Sequence, residues 1–122
     1  MNFTESWSQL VDLIESSTDP LIATDAGTYR GEPQAGELLR GIAITVQAIG
    51  WDDLFYQFCI RVYAPTNQDV LDVQDELVRT VDALDTLLDT QDTFERASGN
   101  VEWHEPLNAF VAISVIQCGR DL

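Results

Sequence analysis

Residues 55–65 read Phe-Tyr-Gln-Phe-Cys-Ile-Arg-Val-Tyr-Ala-Pro, and residues 70–88 read Val-Leu-Asp-Val-Gln-Asp-Glu-Leu-Val-Arg-Thr-Val-Asp-Ala-Leu-Asp-Thr-Leu-Leu. In the first piece Tyr56, Phe58, Ile60 and Val62 alternate with Gln57, Cys59 and Arg61, the period of two of a pleated strand. In the second, Val70, Val73, Leu77, Val81, Leu84 and Leu88 recur at steps of three and four, which keeps them in one helical stripe. Asp72, Asp75, Asp82 and Asp89 fall on the opposite, wet arc. Pro65 separates strand from helix, and Thr66 or Asn67 is expected to cap the helix. At about 1.5 Å per residue the helix is ~30 Å long, roughly the width of a small domain.

Upstream, Ile42, Ile44, Val46 and Ala48 alternate with Thr45 and Gln47 in a strand from Gly41 to Ile49. Gly50-Trp51-Asp52-Asp53 supplies the turn into the Phe55 strand, so the two form a β-hairpin. Downstream, Ser98-Gly99-Asn100 reads as a turn. A short strand from Val101 to His104 and a last strand from Ala109 to Cys118 follow, joined through Glu105-Pro106-Leu107-Asn108, with Val111, Ile113 and Val115 facing one way. At the front, Phe3, Trp7, Leu10, Val11 and Ile14 mark an amphipathic helix from about Thr4 to Glu15. Asn2 or Thr4 is placed to cap it, with Glu5 completing a pattern like a capping box. Residues 18–40 are irregular, carrying Gly27, Gly31, Pro33 and Gly36. Only Leu21-Ile22-Ala23 has the makings of a strand there, and the segment is expected to be an ordered arm that engages a partner.

The order helix, two strands, helix, two strands predicts a single α+β domain over residues 1–122. It would have two layers, with an antiparallel four-stranded sheet and both helices on one face. Two helices cannot cover both faces of such a sheet. The other face would carry Ala43, Ile49, Phe55, Cys59, Tyr63, Phe110, Ala112, Ile116 and Cys118, which together are too apolar to face water. A neighbouring subunit or the arm is needed there. Leu71 and Val78, seven residues apart on the flank of the helix stripe, either widen the core face or meet another subunit.

Composition restricts the partners. The chain has 122 residues, 45% of them hydrophobic, enough for one core. No apolar run of about 18 residues is present, so no membrane partner is expected. The first residues, Met-Asn-Phe-Thr-Glu-Ser-Trp, lack the blocks of a signal peptide, and an intracellular or virion location is expected. There are 21 acidic and 6 basic residues, a formal charge of −15, and every basic residue is arginine. That surface repels phosphates, which argues against nucleic-acid binding and leaves an acidic DNA mimic as a competing reading. Abundant Asp without Lys also fits a halophilic source, because the Debye length falls to ~3 Å at 1 M salt and screens the self-repulsion.

Little in the sequence carries catalytic chemistry. His104 is the single histidine; Glu102 would point the same way along a strand and Glu105 the other way. One histidine and one carboxylate fall short of the four ligands of a closed zinc site. The helical carboxylates diverge around the axis and lack a calcium-loop spacing. Gly27, Gly31 and Gly36 make no phosphate-binding fingerprint, and there is no nucleophile elbow. Cys59 and Cys118 read as free, buried thiols. An enzyme is therefore not expected, nor is a cofactor or metal. Trp51 at the hairpin turn and Trp103 before Pro106 serve either as lids over the core or as contacts for a partner.

The order of elements, together with the stretches Phe-Cys-Ile-Arg-Val-Tyr-Ala-Pro (58–65), Val-Leu-Asp-Val-Gln-Asp-Glu-Leu-Val (70–78) and Phe-Val-Ala-Ile-Ser-Val (110–115), resembles the tail terminator (tail completion) proteins of long-tailed viruses. The resemblance runs from Phe3 to Gln117 and is one of pattern. It implies a homo-oligomeric ring, a hexamer, that caps the tail tube and ends its polymerisation. The ring would join the tail to head-completion or neck proteins at the tail–neck junction of the virion, after assembly in the host cytoplasm. Genomic DNA would pass through it without specific binding. A neck or head–tail connector protein one layer nearer the capsid is the alternative. Residues expected at a subunit or partner interface are Tyr29, Arg30, Trp51, Phe55, Arg61, Tyr63, Leu71, Val78 and Trp103.

Overall fold

The computed structural model describes residues 2–23, 28–29, 33, 38, 41–64 and 69–120. Its elements run α1 (Phe3–Glu15), β1 (Thr28–Tyr29), β2 (Ala43–Trp51), β3 (Phe55–Tyr63), α2 (Val70–Asp89), β4 (Phe94–His104) and β5 (Ala109–Gly119), with a 3-10 turn at Glu105–Leu107 between the last two strands. The class is α+β, with two helices and an antiparallel sheet of four main strands, β2 to β5. The two-residue β1 adds a fifth strand, parallel to β2, through Thr28 opposite Ile44 and Tyr29 opposite Thr45. The order is thus α-β-β-β-α-β-β rather than the expected α-β-β-α-β-β. In space the strands lie β1-β2-β3-β5-β4, so the last strand is inserted between β3 and β4.

Both helices start where a side chain accepts orphan backbone N–H groups. Asn2 accepts from Glu5 N at 2.8 Å at the start of α1. Asp69 accepts from Leu71 N at 3.0 Å at the start of α2. Asp69 therefore takes the capping role expected of Thr66 or Asn67, which lie outside the described residues. Leu21 and Ile22 form a turn instead of a strand, with Ile22 N and Ala23 N both donating to Asp19 O.

Strand register decides which residues share a face. Val62 lies between Ile44 and Ala112, and Phe58 between Ala48 and Ile116. Ile44, Val62, Ala112, Phe58 and Ile116 of these rows join Leu10, Val11 and Ile14 of α1 and Val73, Leu77, Leu84 and Leu88 of α2 in the main core cluster. Two polar ties fix the helices against the rest. Trp7 Nε1 donates to Val46 O at 2.9 Å, and Thr80 Oγ1 donates to Leu21 O at 3.2 Å.

The register also corrects the assignment of the last strand. Ala112, Ile116 and Cys118, expected on the face away from the helices, belong to the main cluster, and Phe110 packs against it. Val111 and Ile113 take the opposite side. Nor is that second face bare, because Leu38 is buried there against Ala43, Tyr63, Ala109 and Val111 in a separate small cluster. Leu38 thus covers part of that face from within the chain.

Candidate subunit interface

On the face away from the main core, polar side chains interrupt the apolar rows. Thr45, Arg61 and Ile113 are neighbours across three strands, as are Gln47, Cys59 and Val115. Arg61 Nη1 donates to Gln47 Oε1, which satisfies part of the guanidinium within the sheet. A cavity of about 360 Å³ opens beside it, lined among others by Tyr63, Glu102, His104 and Val111. The Tyr63 and His104 rings meet edge to face with centroids 5.8 Å apart. Thr45 is fully buried, and its Oγ1 has no hydrogen-bond partner among the described residues. Arg61, Glu102 and His104 line the same cavity, but no group of three His, Cys, Asp or Glu is placed to hold a metal ion among the described residues. Both cysteines are buried and outside any disulfide, and burial pushes the Cys59 thiol upward against the opposing pull of Arg61. A protonated, enclosed thiol is a poor nucleophile.

The exposed large hydrophobic side chains gather elsewhere. Among the described residues, seven are between 47% and 76% exposed: Ile49, Trp51, Leu54, Leu71, Val78, Val101 and Trp103. They fall into two groups. Ile49, Trp51 and Leu54 sit on the β2–β3 hairpin, which a bulge between Ala48 and Gly50 disturbs just before its tip. Trp51 is propped edge-on against Phe3 at 5.6 Å between centroids. The turn is rigid. Asp52 Oδ1 accepts from both Leu54 N and Phe55 N at 2.8 Å, and these two backbone bonds hold its carboxyl below the ordinary carboxylate range. Arg120 adds a second clamp, donating from its backbone N to Leu54 O at 2.8 Å and from Nη1 to Asp52 O at 2.6 Å.

The second group lies between α2 and the sheet edge. β4 is the outermost strand on its side, and apart from its ends it is exposed throughout. Val78 and Val101 line one groove of about 230 Å³ together with Gln74 and Leu77. Further along, Arg96 Nη2 meets Asp85 Oδ1 at 2.7 Å, so α2 and β4 run antiparallel. Leu71, two helical turns before Val78, therefore lies in the same direction as Trp103, two residues past Val101. Trp103 stands edge-on to Phe110 at 5.0 Å.

The expected interface residues thus divide. Trp51, Leu71, Val78 and Trp103 are exposed and belong to these two groups. Phe55 is half-buried at the start of β3, opposite Gly119. Arg61 lies on the cavity, bonded to Gln47. Tyr63, expected at an interface, is instead only 2% exposed and is taken up by the chain's own second cluster. Tyr29 is described only as a backbone partner of Thr45, and Arg30 lies outside the described residues. Ile49, Leu54 and Val101 were not among the expected contacts. The signal for Leu54 was available, since an apolar residue in a turn rich in Asp has no reason of its own to be there.

No protein-family model and no curated protein matches this chain.

Proposed function

We propose that this chain is a structural subunit of a virus tail, a tail-terminator-like protein that assembles with copies of itself into a ring, a hexamer, on the end of the tail tube. In this role it ends tube growth and presents a surface to head-completion or neck proteins, and genomic DNA passes through the ring. The fold is read as two layers, the helices on one side of the sheet and the other side covered in part by Leu38 of the arm.

The observation that carries the reading is the pair of exposed apolar groups on an otherwise strongly acidic domain. Large apolar patches on an isolated surface mark protein contacts, and a formal charge of −15 would otherwise keep copies apart. The acidic surface also suits a conduit, because it does not hold phosphates. The halophilic source is part of the same reading, since brine screens the repulsion between copies.

Negative-stain images of the purified protein in ~1 M salt, alone and mixed with isolated tail tubes, test the reading. Free rings or tube ends closed by a ring are expected. Solitary compact particles, with bare tube ends in the mixture, would remove the proposal. Capture on portal complexes in place of tubes would move the protein one layer toward the capsid, to a neck or head–tail connector role.

A further inference from the structure

We infer that the two exposed apolar groups are the two halves of one contact between copies: the β2–β3 hairpin tip of one subunit, bearing Ile49, Trp51 and Leu54, seats in the α2–β4 groove of the next, lined by Val78 and Val101, with the exposed Leu71 and Trp103 beyond its end. The inference rests on the ring reading above and names the surfaces that would build it.

Geometry is the first argument. The hairpin tip lies at the end of the sheet where Phe55 faces Gly119 and Phe94 faces Cys118. Val101 and Trp103 lie toward the other end, opposite Ala112 and Phe110, on the outer strand. The two groups are therefore at opposite corners of the sheet. With strands ~4.8 Å apart and ~3.4 Å per residue along each, they are separated by roughly 25–30 Å. Two distant, unlike patches can pair reciprocally across a two-fold axis, which closes a dimer, or meet head to tail, and the ring reading selects the second. A head-to-tail contact repeats until a ring closes or a filament grows.

Shape and area are the second argument. One group is a projecting turn made stiff by Asp52 and by the Arg120 clamp, so little order is lost when it docks. The other is concave, a groove between a helix flank and a strand. Tryptophan on a rigid support is the kind of anchor that such grooves take. From their exposed fractions the seven side chains offer on the order of 600 Å². That is close to the apolar share, a little over half, of the ~1,200 Å² that a specific interface needs at minimum.

The test uses two surface variants of the full chain. Trp51→Ser with Leu54→Ser spoils the tip and leaves the groove; Leu71→Ser with Val78→Ser spoils the groove and leaves the tip. A tip variant with Leu54→Ser alone preserves the Trp51–Phe3 contact if the double change disturbs folding, and circular dichroism checks each fold. Under salt conditions where the wild type assembles, light scattering on a sizing column should report each variant at the 13.6 kDa of one chain. Mixed in equal amounts, the two should form a particle of twice that mass and no larger, because each supplies the half that the other lacks. Rings that persist in either folded variant, or a mixture that stays monomeric, would overturn this contact and leave the ring reading standing. A wild type that never assembles, in brine or on tubes, would remove both.

Discussion

Asp52 shows how one exposed carboxylate can organise a surface. Its Oδ1 takes two backbone N–H groups at once, an Asx-type turn that sets the direction of Leu54 beside Trp51. Because folding lowers its pKa from the ordinary 3.8, its contribution is present above that value and fades as pH falls through the lowered one. Replacing it, Asp52→Ala, should leave the core intact while speeding amide hydrogen exchange at Leu54 and Phe55. Unchanged protection at both amides would mean that the Arg120 clamp alone holds the turn. Asp85 has the opposite sign. Burial lifts its pKa most, Arg96 works against this, and Asp82 and Asp89 push it further up. Any stability linked to its protonation is present below the ordinary carboxylate value and is lost as pH rises through the raised one. The ion pair with Arg96 is about one-third exposed on each side, and pairs of that kind contribute ~0–1 kcal/mol. Asp85→Asn should therefore melt at or slightly above the wild-type temperature at neutral pH. At acid pH, where Asp85 is already protonated, the two melts should coincide.

Among the elements, the β3–β5 pairing is the keel. Phe58 is fully buried, with the Phe3 ring at 5.5 Å and the Phe94 ring at 6.5 Å between centroids. Removing it, Phe58→Ala, takes away contacts to α1, β4 and β5 together and should cost about 3–5 kcal/mol in urea unfolding. Elements whose two sides differ in polarity could be read from sequence: the α2 stripe and the alternation of β3 both appear as their spacing requires. The last strand could not. With Phe110, Ala112, Ile116 and Cys118 on one side and Val111, Ile113 and Val115 on the other, a central strand is apolar on both faces, and period two gives no sign for which faces the helices. Most of β4 was invisible for a different reason. Glu95, Arg96, Ser98, Gly99 and Asn100 have no apolar alternation, and backbone pairing to β5 holds them in the strand across a bulge between Arg96 and Ser98. Charged, bulged edge strands of this sort resist unwanted pairing, so their sequences resemble turns.

For the whole molecule, charge and apolar surface oppose each other. In the hexamer proposed above, six copies at −15 each would carry −90 by formal count, and the screening length shrinks from about 10 Å at 0.1 M salt to about 3 Å at 1 M. Both the melting temperature of one chain and the mass of its assembly should rise along that salt series. A melting point or particle mass indifferent to salt would show that the acidic residues are too far apart to matter. The candidate contact was only partly legible at this scale. Leu71 and Val78 stand off the helix stripe, and Trp51 and Trp103 stand at turns, so all four announce themselves. That the hairpin and the groove occupy opposite corners depends on the insertion of β5 between β3 and β4, which no local pattern encodes.

The same insertion has a consequence for how the chain reaches its native state. Each outer half of the sheet, β2 with β3 and β4 with β5, is a hairpin whose strands are close in sequence and can zip early. The seam between the halves joins Val62 to Ala112 and Phe58 to Ile116 and must wait until a long intervening stretch has been gathered in, which is what slows folding in proteins rich in distant contacts. Until then Phe58, Ile60 and Ile116 are uncovered, so the interval before the seam closes is when a newly made chain is most exposed to aggregation.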